Sequence, residues 1–348
     1  MKKSMFVALA SAGAFVVLSA ARAATITEDF TTDPATRGWQ VFGDTNLFRW
    51  NQTNQNLEVA WDSTHPNSYF YHPLNTTLTR YDDFTLEFDL RLSDIASGVE
   101  PGKTTPLQIA FGLLNLADAT NSSFMRGAWG GAPNVAEFDY YTTGYYYDYN
   151  EGVIKPSLAS TVPTFIPGTA PRHYAPGATV SPFEAELPTN QTVHVRLAYT
   201  GSDQTAMLTA TANGVPLRQY APLVLSDPSN SQFTSSDNFR VDTFSISSYS
   251  SNGDDYDSVL AHGTVYNLTV TAQFQPITRL TGGPGTNGFW QVQFFARSNW
   301  LYTLEGSADL HSWGPVSAAA PGSEDFMTLQ DTNAPSSKAF YRVHAQQP

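Results

Sequence analysis

Residues 84–92, FTLEFDLRL, alternate apolar Phe84, Leu86, Phe88 and Leu90 with polar Thr85, Glu87, Asp89 and Arg91. A period of two is the signature of a strand with one face buried. Similar short runs recur along the chain: PLQIAFGLLNL, QTVHVRLAYT, TAMLTATANG, FRVDTFSISSYS and GTVYNLTVTAQF, each bounded by Gly, Pro, Asn, Asp or Ser. Asn213-Gly214 is the dipeptide preferred in tight hairpin turns. No window carries an apolar stripe at helical spacing. The pattern predicts an all-β chain built as an antiparallel sandwich or jelly roll.

The Gly/Pro-rich TGGPGTNG at 281–288 interrupts this pattern. It divides the chain into a large β domain over 24–275, a linker over 276–288 and a small β domain over 289–348. The last segment, with YTLEGSADLHSW and then FYRV near the chain end, resembles a short C-terminal module found on many secreted bacterial proteins. Its Trp290, Trp300 and Trp313 are expected to form its core, since so small a unit needs bulky aromatics.

Residues 1–23 read as a secretory signal. Lys2 and Lys3 precede an apolar run, and Ala21-Arg22-Ala23 supplies the small-x-small cleavage site, so the mature chain begins near Ala24. The expected location is outside the cytoplasm: secreted, periplasmic or at the cell surface, without membrane insertion. Removing that segment deletes three cations and no acids, leaving 15 − 31 = −16. Such a charge repels nucleic acid and anionic membranes and is compatible with a neutral polysaccharide. With no cysteine in the chain, disulfides, thiolate nucleophiles and thiolate metal sites are excluded.

Candidate chemistry concentrates in NVAEFDYYTTGYYYDYNEGVIKPS, 134–157. If NVAEFDYY is a strand, Val135, Glu137, Asp139 and Tyr141 share one face and Phe138 packs into the sandwich from the other. Two ionised carboxylates at i and i+2 repel, and neither is buried without a partner. A bound cation, a proton-sharing catalytic arrangement, or solvent exposure beside an arginine would each justify the pair.

This stretch resembles the concanavalin-like family, the legume-type lectins and their glucanase relatives. In the lectins a Glu-x-Asp-x-Tyr strand, then an Asn, an Asp and a His, hold adjacent Ca²⁺ and Mn²⁺ beneath the sugar loop. Glu137, Asp139 and Tyr141 match, and Asp148 lies nine residues beyond Asp139. Thr143 stands in the Asn slot and Val153 in the His slot, so the resemblance implies one Ca²⁺ on Glu137, Asp139 and Asp148 rather than two metals. The alternative, a solvated or arginine-paired acid cluster, stays open. In the glucanase relatives a third acid follows; here that position is Tyr141 or Thr142. Retaining hydrolysis on this strand therefore lacks its second carboxylate. If the chain is an enzyme, Glu137 and Asp139 are the candidate catalytic groups, with a partner from another strand.

Six tyrosines between 140 and 149 cannot all face a core. Tyr141, Tyr145 and Tyr147, with Trp129 and Arg126 from the preceding glycine-rich loop, are the candidate ligand contacts. Their rings suit the C–H faces of a saccharide and their hydroxyls suit its polar edge. The seven histidines show no zinc spacing, and no GxSxG elbow is present. The expected function is carbohydrate binding, with an oligosaccharide or polysaccharide as partner. A glycoside hydrolase or polysaccharide lyase on the same sandwich is one alternative, and a structural envelope or matrix protein is the other.

Overall fold

The strand read from the alternation at 84–92 forms within Asp83–Ser97, where Phe84, Leu86, Phe88 and Leu90 are all buried. The computed structural model of the chain describes residues 22–97, 109–124, 132–141, 153–159, 183–184, 187–201, 205–217, 223–224, 239–250, 258–285, 289–298, 300–335 and 339–347. These residues fall into two units, Ala23–Phe274 and Gln275–Pro348.

The larger unit is an antiparallel β-sandwich. Its nine-stranded sheet runs Val215–Leu217, Thr205–Ala212, Thr192–Thr200, Asp83–Ser97, Val259–Phe274, Asn56–Asp62 and Phe48–Asn51. Arg22–Glu28 and Leu223–Val224 pair to the side of that path. Asn213 and Gly214 both take positive φ, which lets Ala212 pair directly with Val215 across a two-residue turn. The strand Thr192–Thr200 alternates as the sequence predicts, with Val193, Val195, Leu197 and Tyr199 buried.

The facing sheet has seven strands, in the order Phe183–Glu184, Val153–Ala159, Val135–Tyr141, Ile109–Leu114, Arg240–Ser248, Ser68–Thr79 and Gln40–Phe42. One row of cross-strand neighbours, Val41, Phe70, Ile246, Phe111 and Phe138, points between the sheets. Phe111 stacks on Phe88 of the opposite sheet at 4.0 Å, and Phe138 meets the same ring edge-on at 5.8 Å. Each buried ring contributes on the order of 1.5–3 kcal/mol relative to exposure. Ile109–Leu114 is buried at every position, so this sheet is covered on both faces.

The smaller unit pairs Ile277–Pro284, Trp290–Ala296 and Asp325–Asp331 in one sheet, and Leu301–Ser307 with Gly314–Pro315, Ala320–Pro321 and Phe340–Gln346 in another. The expected linker over 276–288 is corrected here. Ile277–Pro284 is a strand hydrogen-bonded to Trp290–Ala296. It lies at a sheet edge, where a Cβ on Gly283 would meet nothing and Pro284 needs to donate to no further strand, so residues that look like turn chemistry are tolerated. Trp300 is buried, Trp290 stacks on Tyr341 at 5.3 Å, and the half-exposed Trp313 lies 4.5 Å beneath the Arg342 guanidinium.

Asp309 organises the exposed turn of this unit. Its carboxylate accepts from the backbone N–H of Ser312 (2.8 Å) and His311 (2.8 Å), and from the Ser307 (3.1 Å) and Ser312 (3.3 Å) hydroxyls. These bonds, led by that from the Ser312 N–H, hold its pKa down at about 2 against an ordinary 3.8. The unfolded chain takes up the proton first, so the stabilisation is full above pH 3.8 and is lost as pH falls through about 2. Asp309→Asn is expected to lower the melting midpoint at neutral pH, with the difference from wild type closing by pH 2 in thermal scans. A difference that stays constant with pH would contradict this.

Candidate functional site

Strand parity carries Glu137 and Asp139 to the face opposite Phe138, the outward face of the seven-stranded sheet. The register then fixes their company. One row reads Gln40, Tyr71, Ser245, Gly112 and Glu137, and the next reads Phe42, Tyr69, Ser247, Ala110 and Asp139. The backbones of Ser157 and Lys155 continue these rows. Small residues thus occupy the middle, between tyrosines on one flank and carboxylates on the other.

Gly112 is required by this arrangement. A Cβ there would lie 2.5 Å from the Ala136 carbonyl oxygen and 2.6 Å from Cα and Cγ of Glu137. Ser245 and Ser247, both buried, share a hydroxyl–hydroxyl bond of 2.8 Å. Tyr249, at the same parity as the two serines, donates its hydroxyl to Oε1 of Glu137. Tyr69 lies edge-on to Tyr249 at 5.9 Å. Burial first, and the Glu137 charge second, push the Tyr69 phenol well above the ordinary tyrosine range. Tyr71, half-buried near the outer edge, donates to Gln40 Oε1 at 2.9 Å.

The two carboxylates are not solvent-facing. Glu137 is 1% exposed and Asp139 0%. Beside Tyr69 and Val135 the outward face is covered by the described parts of an excursion, residues 115–124 and 132–134, where the Asn115 N–H donates to the Asn134 carbonyl at 3.1 Å. Asn134, at φ 54°, also donates to Asp118 (2.6 Å) and accepts the Arg240 N–H (2.8 Å). The excursion opens with the short helix Leu116–Ala119, capped by Asn115 and held by Asp242, which accepts the Leu116 N–H at 3.0 Å. It is pinned to the sheet by the Tyr69 hydroxyl on the Ala119 carbonyl (3.0 Å) and by Asn67 Nδ2 on the Phe124 carbonyl (3.0 Å). Phe124, Ala119 and Ala132 pack there with Tyr69, Tyr249, Ala110, Leu114 and Val135 as a second, smaller core.

Of the candidate contacts, Arg126, Trp129, Tyr145, Tyr147 and Asp148 lie outside the described residues, as does the Tyr141 side chain. The calcium expectation rests on what remains. Glu137 and Asp139 offer two carboxylates, one of them engaged by Tyr249, and among the described residues no group of three His, Cys, Asp or Glu could hold a metal. Ca²⁺ takes six to eight oxygens, so the described pair does not by itself make such a site. Tyr249, Ser245 and Gly112 went unnoticed in the sequence. The alternation in FRVDTFSISSYS carries their strand's parity, but nothing local says that it lies beside Ile109–Leu114.

No family model matches the chain, and no curated protein does. Among solved structures, it is similar to peanut lectin with a nine-residue peptide, at 13% identity, covering 73% of this chain and 99% of that one, TM-score 0.40. An endo-1,3-β-glucanase from Streptomyces sioyaensis follows at 11% identity, 71% and 95% coverage, TM-score 0.36. A PL-14 alginate lyase from Aplysia kurodai stands at 11%, 66% and 88%, TM-score 0.37.

Gly112→Ala is expected to push the strand Val135–Tyr141 aside and cost about 1–3 kcal/mol, seen as a lower urea midpoint. An unchanged midpoint would show that the two strands have slack between them.

Proposed function

We propose that the chain is an exported carbohydrate-binding protein whose ligand lies on the outward face of the seven-stranded sheet. The observation that carries this reading is the composition of that face. Tyr69, Ser245, Ser247, Glu137 and Asp139 are buried there, and the half-buried Phe42 and Tyr71 lie toward the sheet edge, with the uncharged polar groups Asn67, Thr120, Asn121 and Ser122 beside Phe42. Aromatic rings beside uncharged donors and acceptors suit a saccharide, whose C–H faces stack and whose hydroxyls both donate and accept. The charge of −16 expected for the chain without residues 1–23 favours a neutral polymer over a polyanion.

Binding is preferred to hydrolysis or elimination because the carboxylates are sealed. A glycosidic bond laid across the strand would have to reach Glu137 and Asp139, and both are buried, with the Tyr249 hydroxyl on the first. On a glycan array the protein is expected to bind without generating new reducing or unsaturated ends. Product that disappears in Glu137→Gln would establish the enzyme instead, and no binding to any glycan would remove the reading.

Calcium is not part of this proposal. EDTA is expected to leave both the melting midpoint and glycan binding unchanged. A fall of several degrees, restored by Ca²⁺, would bring Asp148 back as a third ligand beside Glu137 and Asp139.

A further inference from the structure

The outward row that has Asp139 at one end has Phe42 at the other, on the edge strand Gln40–Phe42. Four strand spacings of about 4.8 Å separate them, roughly 19 Å. At the Phe42 end lies a cavity of about 370 Å³ between that edge strand and residues 119–122 and Phe124. Its size falls in the range of small-molecule sites.

Two rings and several uncharged polar groups line it. Phe42 is half-buried and stacks on Tyr69 at 5.6 Å with 15° between planes, so its orientation is held from behind. Phe124 is fixed by its carbonyl on Asn67 Nδ2, while Asn67 Oδ1 accepts the Ser250 N–H at 2.8 Å. Asn67 is thus spent on positioning. Asn121 uses its carbonyl to accept from Ser123, at 3.0 Å from N–H and 2.9 Å from the hydroxyl, which leaves its amide N–H groups. The exposed Ser122 adds a hydroxyl. Among the described residues, none that lines it carries a charge.

Two other cavities among the described residues differ. One of about 350 Å³ on the nine-stranded sheet holds Arg49, Glu58 and His262, with Arg49 and Glu58 ion-paired and His262 bonded to Asp94. Another of about 380 Å³ in the smaller unit holds Asp309 and Asp331, which are committed to a turn and to the Tyr341 hydroxyl.

We infer that the cavity beside Phe42, Asn121 and Ser122 is the primary subsite for the saccharide and that it selects an uncharged sugar over a uronate. The inference rests on the carbohydrate-binding reading and narrows it. A sugar carboxylate placed there would lose hydration with no cation among the described lining residues to meet it, inside a protein that is itself strongly acidic. A neutral ring stacks on Phe42 and exchanges hydrogen bonds with Asn121 and Ser122.

The test is calorimetric titration of the full chain with neutral hexo-oligosaccharides and with uronate oligosaccharides of equal length, using wild type, Phe42→Ala and Ser122→Trp. Ser122 makes no side-chain hydrogen bond among the described residues, so Ser122→Trp fills the cavity while leaving the melting midpoint in place. Expected are neutral binding by wild type, uronate binding weaker by roughly tenfold or more, and a comparable loss of neutral binding in both variants. Wild-type binding that survives unchanged in Ser122→Trp overturns the subsite and leaves the carbohydrate reading standing. Uronate binding as tight as neutral binding overturns the selectivity. Absence of binding to every member overturns the inference together with the reading beneath it.

Discussion

Burial of both faces of Ile109–Leu114 constrains everything laid beside it. A strand sealed on one side can send its polar neighbours to water; one sealed on both sides cannot. Glu137, Ser245 and Ser247 therefore have their partners inside the protein, and the structure supplies them from the Tyr249 hydroxyl and from the serine pair itself. Leaving one such group unmet would cost about 1–3 kcal/mol, as much as a core ring contributes. The same constraint explains the small residues. A Cβ on Gly112 would meet Cα and Cγ of Glu137, and Ala110 lets Ala119, Phe124 and Ala132 pack against the sheet.

The opposite sheet follows other rules. Its outer surface is a lattice of cross-strand pairs, Arg196 with Glu87 at 2.8 Å, His194 with Asp89 at 2.7 Å and Arg49 with Glu58. Exposed pairs of this kind contribute less than about 1 kcal/mol each. They keep that sheet soluble and its register defined. The division gives the sandwich a solvated back and, among the described residues, a covered front with a cavity at its edge beside Phe42.

How much of this could be read beforehand follows from which interactions are local. Alternation at 84–92 and in QTVHVRLAYT marked strands with one solvated face, and Asn213-Gly214 marked a hairpin, because each pattern lies within a few residues. Glu137, Phe138 and Asp139 were assigned to opposite faces correctly for the same reason. Phe138 was read as buried, but the burial of the two carboxylates was not legible, because the hydroxyl on Glu137 comes from Tyr249, 112 residues away. The run IAFGLL carries no alternation, which is itself the mark of a strand buried on both sides. The edge strand Ile277–Pro284 was read as a linker because glycine and proline are punctuation in a sheet interior and tolerated at its margin.

The most direct test of ligand recognition on the covered sheet is amide hydrogen exchange of the full chain with and without a saturating neutral hexo-oligosaccharide. The account predicts slowed exchange in 40–42, 67–71 and 119–124, with the strand Thr192–Thr200 of the other sheet unaffected. Protection confined to the nine-stranded sheet, or to the C-terminal unit, would contradict it.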